Sequence, residues 1–203
     1  MKINKSVNSF LDEKYSYTGT PNDEDYSVLK ENFIKGDIDR DKIFVYSAKA
    51  CDNMIDRSSE CFSEKALKSI SELIVGSPCL EDHYRGIESQ FGRVYKAELV
   101  IDKDRQNDFG EPYKYVVAYC YTVNNDKNKY IIEDILAGIR KSVSVGCSVT
   151  NERCSICGST SYGCGHIRGN EYGGKKCASI LDDVDDFYEL SGNSSLSEGS
   201  WYY

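Results

Sequence analysis

The sequence predicts an α+β domain built round an antiparallel sheet or a small barrel. Three observations lead there: strand-like alternation between residues 43 and 123, helical spacing in two separate stretches, and strand segments that follow one another directly along the chain. About four to six strands and two helices are expected.

Residues 1–42 are charged and weakly periodic, and TGTPNDED has the composition of a linker, so they read as a loosely attached N-terminal arm. IFVYSAKA (43–50) is a strand. In SEKALKSISELIVG, Ala66, Leu67, Ile70, Leu73 and Ile74 recur at helical spacing behind a Ser63 N-cap, and Gly76 and Pro78 end the run. FGRVYKAELVID sets Tyr95, Ala97, Leu99 and Ile101 against Val94, Lys96, Glu98 and Val100, a half-buried strand. KDRQNDFGEP is turn chemistry, and YKYVVAYCYTV is a second, more apolar strand. YIIEDILAGIRK, with Ile131, Ile132, Ile135, Leu136 and Ile139 on one side, is a second helix that leads straight into KSVSVGC. Residues 150–177 form a Cys/Gly-rich insert, ILDDVDDFYEL is a short apolar segment, and 192–203 read as a flexible tail.

A chain of 203 residues can bury one core of ordinary size. Its net charge of −8 argues against a nucleic-acid partner, which needs a cationic surface, and against a membrane surface for the same reason. MKINKSVNSF has no apolar targeting region and no run suits a membrane span, so a cytosolic protein is expected. Nine cysteines in such a chain read as thiols or metal ligands rather than disulfides. Only two histidines, His83 and His166, are available.

KSVSVGC poses a question. Val143, Val145 and Cys147 make an ordinary core face, whereas Ser142, Ser144, Gly146 and Ser148 leave the opposite face nearly bare. Small residues there either admit a closely packed neighbour or leave room above a nucleophilic Ser144 for a substrate carbonyl. A serine nucleophile needs a base, and His83 in the loop CLEDHYRG is the candidate, because His166 belongs to the cysteine cluster. The acid that would orient the imidazole is left open among Asp82, Asp182, Asp183, Asp185, Asp186 and Glu189. Cys147 faces the core and makes a poor alternative nucleophile. The acidic run DDVDDFYE, without a turn glycine, reads as a solvated edge rather than a cation site.

The insert carries CSIC (Cys154, Cys157) and CGH (Cys164, His166), followed by Cys177. A CxxC pair with Cys164 and His166 supplies the four ligands of a tetrahedral structural Zn²⁺ site, with Cys177 as an alternative ligand. So few apolar residues lie here that a metal would have to supply the ordering free energy. A full set of protein ligands leaves no position for a reacting water, so no catalytic cofactor is expected.

In order, VYSAKACDNMIDRSSECFSEKALKSI, EDHYRG, FGRVYKAELV, ILAGIRKSVSVGCSV, CSICG, CGHIRG and DFYELS resemble the prohead (capsid maturation) serine proteases of tailed phages, over roughly residues 43–191. Those enzymes look related to the herpesvirus assemblins. The resemblance implies a small antiparallel β-barrel core flanked by helices, with the knuckle as an insert, and Ser144 as nucleophile, His83 as general base and Glu189 as third member. It further implies a serine endopeptidase that cleaves scaffold or the scaffold-like part of the capsid protein, and itself, inside the prohead in the bacterial cytoplasm, with self-association as an option. YELS would be followed by a hydrophobic strand in that family, where this chain has GNSSLSEGSWYY. The alternative is a non-catalytic, protease-like assembly or scaffolding protein that keeps the structural zinc.

Overall fold

Asn107 closes a long hairpin: its amide donates to Glu111 O at 2.8 Å, and its side-chain oxygen accepts from the amides of Phe109 and Glu111. This turn joins two long strands within a computed structural model that describes residues 15, 18–140, 142–160 and 163–192. In chain order the elements are β1 (Thr18–Gly19), α1 (Asp23–Asn32), β2 (Ile43–Asp52), β3 (Glu60–Phe62), α2 (Glu64–Leu73) and β4 (Pro78–Glu81). They continue with β5 (Gln90–Gln106), β6 (Pro112–Val123), α3 (Lys129–Leu136), β7 (Val143–Cys154), β8 (Glu171–Tyr172), β9 (Lys175–Lys176) and β10 (Ser179–Gly192). The expected flexible tail, from residue 193 on, lies outside the described residues.

The architecture is α+β, with one large sheet in the order β1-β2-β6-β5-β4-β10-β3 and with β7 paired to β10. Two expectations need correction. The sheet is mixed, because β10 runs parallel to β3 and β4 and antiparallel to β7. It is also open rather than a closed barrel: among the described residues no ladder joins β2 to β7, and β1 occupies the outer edge of β2 at Val45 and Tyr46.

Ser63 caps α2 by accepting from the Ala66 amide at 3.2 Å, and Ala66, Leu67, Ile70 and Ile74 are fully buried against Val94, Val116, Ala118, Leu181 and Leu190. Leu73, placed on this face by spacing, is instead 39% exposed. On α3, Ile131 and Ile132 are buried but Leu136 and Ile139 are exposed, because the helix ends at Leu136 and Gly138 turns the chain with φ 70°. The alternation of β5 changes parity at a bulge between Val94 and Lys96, so Val94 shares its core face with Ala97 and Leu99 rather than with even-numbered neighbours.

The described part of the supposed arm is packed. Leu29 of α1 is wholly buried with Ile34, Ile43, Val45 and Tyr95 on the sheet face opposite α2. Its sequence hid this, since Leu29 is one of few apolar residues in a helix dominated by charge.

Candidate active site and metal centre

Beyond β4 the chain reverses on itself. Tyr84 N donates to Glu81 O at 3.0 Å while Asp82 and His83 hold φ of 50° and 57°, which makes a type I′ turn with both central residues left-handed. Glycine or asparagine usually fills such positions, and a non-glycine residue there stores about 1–3 kcal/mol. Contacts to β10 hold the turn in place: His83 N donates to Ser191 Oγ at 2.7 Å, and Asp82 N to Gly192 O at 3.2 Å. Ser191 Oγ in turn donates to Leu80 O at 3.4 Å and is fully buried.

The same turn aims the imidazole at β10. His83 Nδ1 lies 3.1 Å from Glu189 Oε1, and Glu189 is only 2% exposed. Arg85 completes the group, donating from Nε to Glu189 Oε2 at 2.9 Å and from Nη2 to Oε1 at 3.4 Å. A neutral histidine that donates from Nδ1 to a carboxylate carries its lone pair on Nε2, the arrangement of an oriented general base.

Ser144 sits in β7 directly opposite Ser191, and Gly146 directly opposite Glu189. Direct antiparallel partners have Cα atoms about 4.5–5.5 Å apart, so Ser144 neighbours the residue that holds the His83 amide. Val143, Val145, Cys147 and Val149 turn the other way, into the core. The bare face of KSVSVGC thereby gains a reason. A Cβ on Gly146 would stand 2.5 Å from Glu189 Oε1 and 2.8 Å from its Cδ, so only glycine admits the buried carboxylate.

Of the six carboxylates left open by sequence, Glu189 is the one hydrogen-bonded to His83. Asp182 binds Arg153 at 2.6 Å, Asp183 meets Lys65, and Asp185 and Asp186 are exposed. Burial, followed by the charge of Asp185, pushes the Cys147 thiol up to about 12, which removes it as a nucleophile at neutral pH.

A second cluster closes the far end of β7. The ligand atoms of Cys154, Cys157, Cys164 and His166 all lie within 4.8 Å of one another. Cys157 Sγ is 3.4 Å from Cys164 Sγ, and His166 Nδ1 is 3.2 Å from Cys164 Sγ and 3.8 Å from Cys154 Sγ. Sulfur ligands about 2.3 Å from a tetrahedral metal stand about 3.7 Å apart, so these separations fit one ion. Backbone amides of Ile156 and His166 donate to Cys154 Sγ and Cys164 Sγ at 3.4 and 3.3 Å. The four residues could therefore hold a metal ion. Cys177 Sγ approaches Cys154 Sγ at 3.7 Å but lies outside the group of four. Tyr172 packs edge-on against the His166 ring at 4.6 Å, and the Arg168 guanidinium pairs with buried Glu60 of β3.

Sequence reasoning passed over Arg85, although it stands two residues beyond His83 in the quoted EDHYRG. It also missed Ser191 as the acceptor for the His83 amide, a role set by strand pairing rather than spacing. No protein-family model, curated protein or solved structure matches this chain. Among the described residues no helix is long and apolar enough to cross a membrane.

Proposed function

We propose that the chain is a serine endopeptidase of phage capsid maturation, with Ser144 as nucleophile, His83 as general base and Glu189 as the group that orients it. The observation that carries this reading is the 3.1 Å contact between His83 Nδ1 and the buried Glu189 carboxylate, on the sheet face where Ser144 lies opposite Ser191. The His83–Glu189 pair supports this reading, and so does the register that sets Ser144 beside Ser191, the acceptor of the His83 amide.

In the proposed mechanism His83 Nε2 accepts the Ser144 hydroxyl proton as the oxygen attacks a peptide carbonyl. His83 then returns the proton to the leaving amine, and water repeats the cycle on the acyl-enzyme. Glu189 keeps Nδ1 protonated and stabilises the imidazolium, while Arg85 neutralises the carboxylate from the solvent side. β7 has no strand partner beyond β10 among the described residues, so alternate backbone N–H groups along its outer edge can serve as oxyanion donors. The resemblance supplies the substrate, scaffold or the scaffold-like part of the capsid protein, and the assemblin-like relationship of the fold. For the metal centre we propose Zn²⁺ in a structural role, since a Cys₃His set suits it and leaves no open position.

The test is co-expression with a scaffold-bearing capsid protein, comparing wild type with Ser144→Ala and His83→Ala on a gel. Fragments in wild type alone support the protease. Identical intact bands in all three overturn it in favour of a non-catalytic assembly protein.

A further inference from the structure

The strands that carry Ser144 and Glu189, β7 and β10, also flank the candidate metal centre. Cys154 is both a candidate metal ligand and the last residue of β7, and it pairs with Ser179, the first residue of β10. Adjacent bonds stitch the two chain segments together: Ser155 N donates to Ala178 O at 2.9 Å and Ala178 N to Ser155 Oγ at 2.8 Å. At the opposite end of the same ladder, Ser144 faces Ser191 and Gly146 faces Glu189.

The ladder between these ends is irregular, with register shifts between Leu181 and Asp183, Asp183 and Val184, Val184 and Asp186, and Phe187 and Glu189. β10 is fixed from its other edge by β3 and β4, whereas β7 has only β10 as a strand partner among the described residues. Register in a hairpin is normally set by its turn, and a slip of one residue sends every side chain to the other face. Here the connection is too long to specify a register as a tight turn does. A metal bound by Cys154, Cys157, Cys164 and His166 collapses that connection to a fixed geometry.

We propose that a zinc ion in the Cys154/Cys157/Cys164/His166 knuckle sets the register of β7 against β10, and so holds Ser144 opposite Ser191 at the far end of the ladder. Gly146 is the second pin, because its neighbours Val145 and Cys147 cannot take its place against Glu189 without a Cβ collision. The consequence for catalysis rests on the protease reading; the register claim does not.

The experiment uses the full chain, purified with zinc, measured by metal analysis and by peptide-resolved hydrogen exchange before and after treatment with a strong chelator. About one equivalent of zinc is expected. On chelation, amide exchange across 143–149 and 186–191 accelerates at least about tenfold, peptides of β5 and β6 stay protected, and added zinc restores the original rates. Cys157→Ser reproduces the chelated pattern without chelator, whereas Cys177→Ser retains zinc and protection. Less than about half an equivalent of zinc in the untreated chain overturns the proposal. So does faster exchange confined to 155–178, or an increase shared equally by β5 and β6. Scaffold cleavage measured in parallel separates the two ideas. Zinc-dependent protection with no cleavage by any form refutes the protease and leaves the clamp, while cleavage and protection that both survive chelation refute the clamp alone.

Discussion

The amide of His83 and the hydroxyl of Ser191 are joined at 2.7 Å, and this bond anchors a turn whose two central residues both have positive φ. Backbone strain at a side chain proposed to move protons is thus balanced from the neighbouring strand. Replacing Ser191 by Ala leaves the His83 amide without its buried acceptor and costs about 1–3 kcal/mol. For a chain of this size each kcal/mol lowers the melting temperature by about 2–4 °C. The scaffold-cleavage rate should fall by at least about tenfold through lost alignment, with zinc content unchanged. A melt combined with a cleavage time course checks both parts, and full activity in Ser191→Ala would show that the turn holds itself.

Gly146→Ala tests the close approach of Glu189. The added methyl meets the carboxylate, so a loss of about 1–3 kcal/mol is expected from overpacking. In a Glu189→Ala background the obstruction is gone and the same substitution should be nearly neutral. A denaturant double-mutant cycle reads the difference, and additive effects would place the carboxylate elsewhere.

Glu189 and Arg85 should separate by magnitude. Glu189→Gln keeps the shape but lets the amide present a donor to Nδ1, and cleavage should drop by roughly 10²–10⁴-fold, as for a triad whose acid is made neutral. The Arg85 side chain is 62% exposed, so solvent screens its ion pair and Arg85→Ala should cost less than about 1 kcal/mol of stability. Its cleavage rate should fall only several-fold. Initial rates at saturating substrate distinguish the two, and equal losses would make Arg85 a direct participant.

Thiol chemistry offers a check independent of activity. The thiolate is the reacting species, and burial raises Cys61 and Cys147 to about 12, so at pH 8 roughly one part in ten thousand of each is ionised. Iodoacetamide followed by peptide mass spectrometry should leave both unlabelled in native protein. After chelation, exposed Cys157, which hydrogen bonds from Ser159 lower to about 6, should be labelled first. Early labelling of Cys147 would contradict its place in the core.

Local chemistry made much of this legible in the sequence. The Ser63 cap and the helix behind it, the strand alternation at 143–147 and the CxxC and CxH spacings each depend on residues close in sequence, and each reappears in the structure. Long-range pairing was hidden. Nothing in ILDDVDDFYELS announces that this acidic segment is the strand inserted between β4 and β7, because its core residues Leu181, Val184, Phe187 and Leu190 recur every third residue across bulges, which leaves no strand alternation to read. The burial of α1 was obscured by the charge of its helix. The identity of the acid beside His83 likewise needed β10 in place, since spacing alone treats six carboxylates alike.

β10 comes after every other described strand in the chain, yet it provides Glu189, Ser191 and the wedge that joins β4 to β7. During translation, therefore, His83 and Ser144 leave the ribosome with their organising strand still unmade. On the protease reading, self-cleavage must therefore wait until synthesis has passed residue 191.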